Sequence, residues 1–163
     1  MKKIICVLLV LLSLAGCGSI NAVTPVNRGI AYRAHIFYYG KEYDCDVKID
    51  EQGRAEYRIR DGQLSGLCLC FYGDKIKYSY MDKEFEESFA LNGGMLNTLY
   101  EMNESISDDC KVEKTDNEWV LNGETANGEY ELFLSGGGLP IKACLDGDSF
   151  YVDFYDVTLI KCE

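Results

Sequence analysis

Residues Glu42 to Asp50 alternate without a break. Tyr43, Cys45, Val47 and Ile49 fall on one side, and Asp44, Asp46, Lys48 and Asp50 on the other. A period of two with that contrast fits an antiparallel strand with one face buried and one in water. Arg54 to Arg60 repeats the pattern with Ala55, Tyr57 and Ile59. Ala31 to Tyr39, Leu64 to Tyr72 and Lys75 to Met81 also read as strands. They are separated by Gly40-Lys41, Glu51-Gln52-Gly53, Asp61-Gly62 and Gly73-Asp74, which carry turn chemistry. Spacing of roughly ten residues predicts a meandering sheet. A second run follows: Cys110 to Lys114, Trp119 to Asn122, Gly128 to Leu134, Ile141 to Leu145 and Phe150 to Leu159. Thr115-Asp116-Asn117, Asn122-Gly123, Gly136-Gly137-Gly138 and Asp146-Gly147-Asp148 read as the turns between them.

One stretch breaks this period. From Asn92, a residue suited to an N-cap, Met95, Leu99 and Met102 share one helical face, with Leu96 and Tyr100 beside it. A helix of about ten residues is marginal alone, so its apolar side needs a sheet to cover it.

The N-terminus carries a different signal. Lys2 and Lys3 precede an apolar run from Ile4 to Leu12, which is too short to span a bilayer as a helix. It ends in Leu14-Ala15-Gly16-Cys17. This resembles a lipobox, the processing site of bacterial lipoproteins. The resemblance implies cleavage before Cys17 and acylation of its sulfur, the palmitate-type anchoring of a membrane lipoprotein. More than one acyl chain on a residue anchors stably. The expected division is a signal peptide over 1–16, a lipidated tether over 17–28 and one folded domain over 29–163. The expected location is the outer, extracytoplasmic side of the cell membrane.

Hydrophobic residues make up 47% of the chain, enough for a packed core. The net charge is -11, from 27 acidic and 16 basic residues. Such a body repels nucleic acid, so no nucleic-acid partner is expected. The same charge also serves plain solubility.

Of eight cysteines, Cys6 leaves with the signal and Cys17 takes the lipid. Cys45, Cys68, Cys70, Cys110, Cys144 and Cys162 remain, and their pairing stays open. Cys68 and Cys70 stand two apart in a strand, so both point to one face and cannot easily bond to each other. No C-x-x-C is present, and buried or disulfide-linked structural roles rank ahead of metal binding or catalysis.

The order of elements and the run Tyr130-Glu131-Leu132-Phe133-Leu134, a glycine turn, then Leu139-Pro140-Ile141-Lys142 is similar to the LolA-like family. Leu64-Ser65-Gly66-Leu67 before a Gly-Asp turn also resembles it. The family includes lipoprotein carriers and a germination lipoprotein. The resemblance implies a mainly β (α+β) fold: an antiparallel half-open β-barrel of about ten strands with one short helix packed on the concave face. It implies roles in lipid binding, lipoprotein carriage or protein regulation at the envelope.

Candidate chemistry is sparse. His35 is the one histidine, and no motif presents a nucleophile to it. G-x-S-x-G and H-E-x-x-H are absent from the sequence. Ser107-Asp108-Asp109 and Asp146-Gly147-Asp148 fit turns better than calcium loops. No cofactor or metal is expected, and a wall hydrolase is the weakest of three readings. The expected role is non-catalytic: binding a protein partner at the envelope, with an apolar ligand as the alternative. For the latter, Phe37, Phe71, Met95, Leu99, Met102, Trp119, Phe133 and Phe154 are the expected groove residues. Tyr38, Tyr151 and Tyr155 lie on the opposite parity, suited to solvent or a partner.

Overall fold

A computed structural model of the protein describes residues 23–88, 94–107, 110–115, 118–145 and 149–160. The signal segment, Cys17, Cys162, Asn92, Asp108, Asp109 and Asp146-Gly147-Asp148 lie outside them.

The sheet has eleven antiparallel strands. They are β1 (Ile30–Tyr38), β2 (Lys41–Ile49), β3 (Ala55–Ile59), β4 (Cys68–Tyr72), β5 (Lys75–Tyr80), β6 (Lys83–Ser88), β7 (Val112–Lys114), β8 (Trp119–Thr125), β9 (Gly128–Leu134), β10 (Pro140–Leu145) and β11 (Phe150–Leu159). One helix, α1 (Met95–Glu104), sits between β6 and β7 in the chain. The strand order is β6-β5-β4-β3-β2-β1-β11-β10-β9-β8-β7. Every neighbour is sequential except β1 and β11, which join the two meanders. The edges are therefore β6 and β7, and α1 is the segment that carries the chain from one edge to the other. Among the described residues this is the expected open half-barrel with one short α-helix, with eleven strands instead of about ten.

The core lies between the inner sheet face and α1. Ile36, Ile49, Tyr57, Phe71, Leu121 and Leu134 are among its fully buried side chains, and Leu99 and Met102 enter it from the helix. The Tyr100 ring stacks on Phe71 at 4.2 Å, and Phe71 meets Tyr57 edge-on at 5.4 Å. These contacts add to simple area burial. Eight of the ten helix residues are buried, including Asn97, Thr98 and Asn103. A helix buried nearly all round is a core element and not a surface one.

Its ends are tied by side chains. Gly94 is the N-cap, and the Thr98 hydroxyl donates to the Gly94 carbonyl at 3.2 Å. At the other end the Asn27 amide donates to the Asn103 and Ile106 carbonyls, at 3.2 and 3.0 Å. The Tyr130 hydroxyl donates to the Met102 carbonyl at 3.2 Å. These bonds satisfy carbonyls that a helix end leaves without partners. Asn127 donates to the Thr98 hydroxyl and the Ala126 N–H donates to Glu101, fixing α1 to the β8–β9 turn.

Several local expectations change. The helix starts after Gly94, two residues beyond Asn92. Leu64 to Leu67 is not strand: Gly62–Leu64 forms one 3-10 turn, and Gly66 follows at φ 86°. Asn122-Gly123 is not a turn. Gly123 lies within β8, where a Cβ would collide with the Tyr130 ring; a mid-strand glycine here marks a close approach. Within the described part of the expected tether, Val26 packs against the core and its N–H donates to the Gly138 carbonyl at 2.9 Å. A Cβ on Gly138 would strike the Thr24 backbone, so this glycine admits the N-terminal segment across the sheet end. β6 is a strand beyond those that the sequence pattern predicts. It follows a tight turn in which Met81 and Asp82 both take positive φ, 47° and 62°. That geometry suits a two-residue hairpin, although its usual residues are Asn and Gly.

Candidate functional site

Strand parity assigns each side chain to the inner or outer face. On β1, Ile30, Tyr32, Ala34 and Ile36 are buried, and Tyr38 continues that parity to meet Phe150 edge-on at 6.2 Å. Phe37 therefore lies on the outer face, opposite Tyr151 of β11. On β9, Tyr130, Leu132 and Leu134 are buried, so Phe133 is outward, with the Lys142 ammonium 4.3 Å above its ring. Phe37 and Phe133 thus do not join the expected groove, and Tyr38 does not join the outer tyrosines. The other six come together on the inner side. Phe71, Met95, Leu99 and Met102 are buried, while Trp119 and Phe154 pack on the core as half-buried rings. Tyr32 meets Phe154 edge-on at 5.1 Å.

Among the described residues this inner face is closely packed where α1 meets the sheet. The seam between α1 and the sheet, bounded by Tyr32, Leu99, Met102, Leu132 and Phe154, leaves a cavity of about 20 Å³. That is close to the space of a single water and far below the several hundred Å³ of usual ligand sites.

The outer face carries charge and polar-tipped aromatics. Arg33 pairs with Asp156 at 3.1 Å, Arg60 with Asp46 at 3.3 Å and Lys75 with Glu86 at 2.6 Å. His35 Nδ1 lies 2.9 Å from Asp44 Oδ1, and the Tyr155 hydroxyl donates to the same oxygen at 3.0 Å. The hydrogen bond to Asp44 raises the His35 pKa from its ordinary value, and the same bond lowers that of Asp44. Tyr151 donates to Asp153 at 2.6 Å, and this bond with burial pushes the phenol up to about 12. A bulge lies beside the Arg33–Asp156 pair. The β1–β11 register shifts between Ala31 and Arg33, and Asp156 takes φ 54°. The histidine is thus held in an ion-pair network. Cys45, by contrast, lies on the inner face, where burial pushes its thiol up to about 12 and keeps it protonated.

A second outer cluster went unrecognised at the sequence level. Cys45, Cys68, Cys70 and Cys110 are free thiols. Cys68 and Cys70 share the outer face of β4 with sulfurs 4.0 Å apart, as their period-two spacing implies. The β3–β4 register places Glu56 directly opposite Cys70. An open cleft of about 580 Å³, lined by Lys48, Asp50, Arg54, Glu56, Cys70 and Tyr72, adjoins this cluster. The C-x-C spacing was the available signal, but the arrival of Glu56 depends on strand pairing.

No family model matches the chain, and no curated protein matches it. Among solved structures it is similar to a LolA superfamily protein from Nitrosomonas europaea, at 12% identity and a TM-score of 0.46, covering 86% of this chain and 90% of that one. It is also similar to the Mycobacterium tuberculosis lipoprotein LppX, at 13% identity and a TM-score of 0.39, covering 76% of this chain and 82% of that one. Neither likeness assigns a ligand or an activity to this chain.

Proposed function

We propose that the protein is a lipid-anchored envelope protein, acylated at Cys17, that acts without chemistry of its own by binding a protein partner through its outer face. The observation that carries this reading is the contrast between the two faces. The inner face is filled by α1, whereas the outer face presents Tyr151 and Tyr155, both partly exposed and both joined to carboxylates. Tyrosines of this kind suit an interface, with an apolar body and a polar tip. The net charge of -11 favours a basic partner surface.

The anchor also orients the body. Val23 follows Cys17 by six residues, a reach of about 20 Å at most. The Gly138 turn and the C-terminal end of α1 would then face the bilayer, and the outer tyrosines would stand on the flank.

Two experiments test this reading. Cys17→Ala should release or mis-process the protein, and unchanged membrane retention would refute the anchor. A photo-crosslinker placed at Tyr151 should capture a defined partner in cells, and Tyr155→Ala should weaken that capture. Capture unaffected by Tyr155→Ala would count against the outer face. A second reading, apolar-ligand binding, rests on the six aromatic, Met and Leu side chains that meet on the inner side. It requires α1 to move away from the sheet.

A further inference from the structure

We propose that Glu56, Cys68 and Cys70 form a site for one borderline-soft divalent cation of the Zn²⁺ class, on the outer face of β3 and β4. The three ligand atoms already lie within 4.8 Å of one another. The sulfurs are 4.0 Å apart. Two thiolates bound tetrahedrally at about 2.3 Å from an ion stand about 3.8 Å apart, so the pair needs almost no movement. Oxidation fits the same pair poorly. A disulfide needs its sulfurs at about 2.05 Å, roughly half the present separation. Residues two apart on a strand have Cα atoms about 6.6 Å apart, at the far end of what a disulfide spans.

The surroundings supply the rest of a site. Cross-strand pairing puts Glu56 opposite Cys70 and Arg58 opposite Cys68 on one side, with Lys77 opposite Cys70 and Ser79 opposite Cys68 on the other. The Arg58 guanidinium donates to Glu56 Oε1 at 3.0 Å. A carboxylate has two oxygens, so one can remain with Arg58 and be oriented by it while the other turns to the ion. Two thiolates and a carboxylate around a divalent ion leave one negative charge, which Arg58 offsets; Lys77, opposite Cys70, is itself paired with Glu84 at 2.9 Å. Glu56 and Cys70 line the cleft of about 580 Å³, giving an entry path and room for water as a fourth ligand.

A cysteine thiol ordinarily keeps its proton near neutral pH and binds a metal as the thiolate. Binding is then an exchange with no change of oxidation state. Two S–H bonds break, two metal–sulfur bonds form, and two protons pass to solvent.

The test uses Cd²⁺, whose thiolate bonds absorb in the ultraviolet, added to the reduced, metal-free full chain. Saturation at one equivalent is expected, with release of two protons and an affinity that rises up to about 100-fold per pH unit. Cys70→Ser should abolish the saturable band, and Glu56→Gln should weaken binding at least about tenfold. Glu56 is partly exposed, so its variant keeps the test open if the serine variant fails to fold. A band unchanged in Glu56→Gln and Cys70→Ser, or no saturable binding at micromolar Cd²⁺, would overturn the proposal. Recovery of a Cys68–Cys70 disulfide from protein that takes up no metal would overturn it too.

Discussion

The two faces of one sheet differ more than any two segments of the chain. Along β2 and β3, successive residues pass from a dry interior to an ionic surface. Cys45, Val47, Tyr57 and Ile59 are buried, while their neighbours Asp46 and Arg58 form exposed ion pairs with Arg60 and Glu56. The inner face is held by shape. Its rings interlock with α1, and a missing atom leaves a hole that cannot fill. The outer face is held by exposed ion pairs, each of which contributes little. Stability therefore resides mainly on the inner side, and the outer side is the freer of the two to vary.

Substitution can break that contrast. The largest effect is expected at Phe71, wedged between Tyr57 and Tyr100. Phe71→Ala should cost about 3–5 kcal/mol in denaturant unfolding. A cost below about 1 kcal/mol would mean that α1 does not pack there. Next comes Gly123. Gly123→Ala pushes a methyl group into the Tyr130 ring and disturbs the cap on α1, with an expected cost of about 1–3 kcal/mol. Hydrogen exchange should show that the C-terminal turn of α1 loosens before the sheet does.

The outer face should respond to pH instead. The folded pKa of His35 lies above its ordinary 6.5, so its pairing with Asp44 stabilises fully below 6.5 and fades as pH rises through the folded value. Asp44 is held below its ordinary 3.8, so its contribution is present above 3.8 and is lost as pH falls through the folded value. The pair is strongest between about pH 4 and 6.5. In Asp44→Asn, the His35 titration followed by NMR should move back toward 6.5. A titration that stays put would remove Asp44 as the cause. The smallest effect belongs to Lys75, whose pairing with Glu86 lies at the solvent-exposed edge. Lys75→Ala should leave the unfolding midpoint unchanged, and a clear shift would show that the β5–β6 edge is structurally important.

How far the sequence discloses this arrangement depends on which force acts at each residue. β2 is legible because its apolar and charged positions alternate without a break from Glu42 onward. β6 is hidden because Lys83-Glu84-Phe85-Glu86-Glu87-Ser88 has a single large apolar residue, and charges on an edge strand blunt further pairing. Phe37 and Phe133 mislead because a large ring suggests the core. Parity on their strands is instead set by the smaller run Ile30, Ala34 and Ile36, and by Leu132 and Leu134. Phe133 tolerates the outside because Lys142 covers it. The helix is visible in the spacing of Met95, Leu99 and Met102. The burial of its polar residues is not, because Asn97, Thr98 and Asn103 are enclosed by elements distant in the chain. Glu56 meets Cys70 only through a register set across the turn at Gly62–Leu64, which no local pattern reports.

α1 packs over the inner face among the described residues, and the proposed recognition rests on that closure. Native mass spectrometry of the Cys17→Ala chain, which can carry no acyl chain there, tests it most directly when membrane phospholipids are added. The bare chain mass is expected across several lipid classes. A one-to-one lipid adduct that Leu99→Trp abolishes would contradict it, and would place the ligand where the helix now sits.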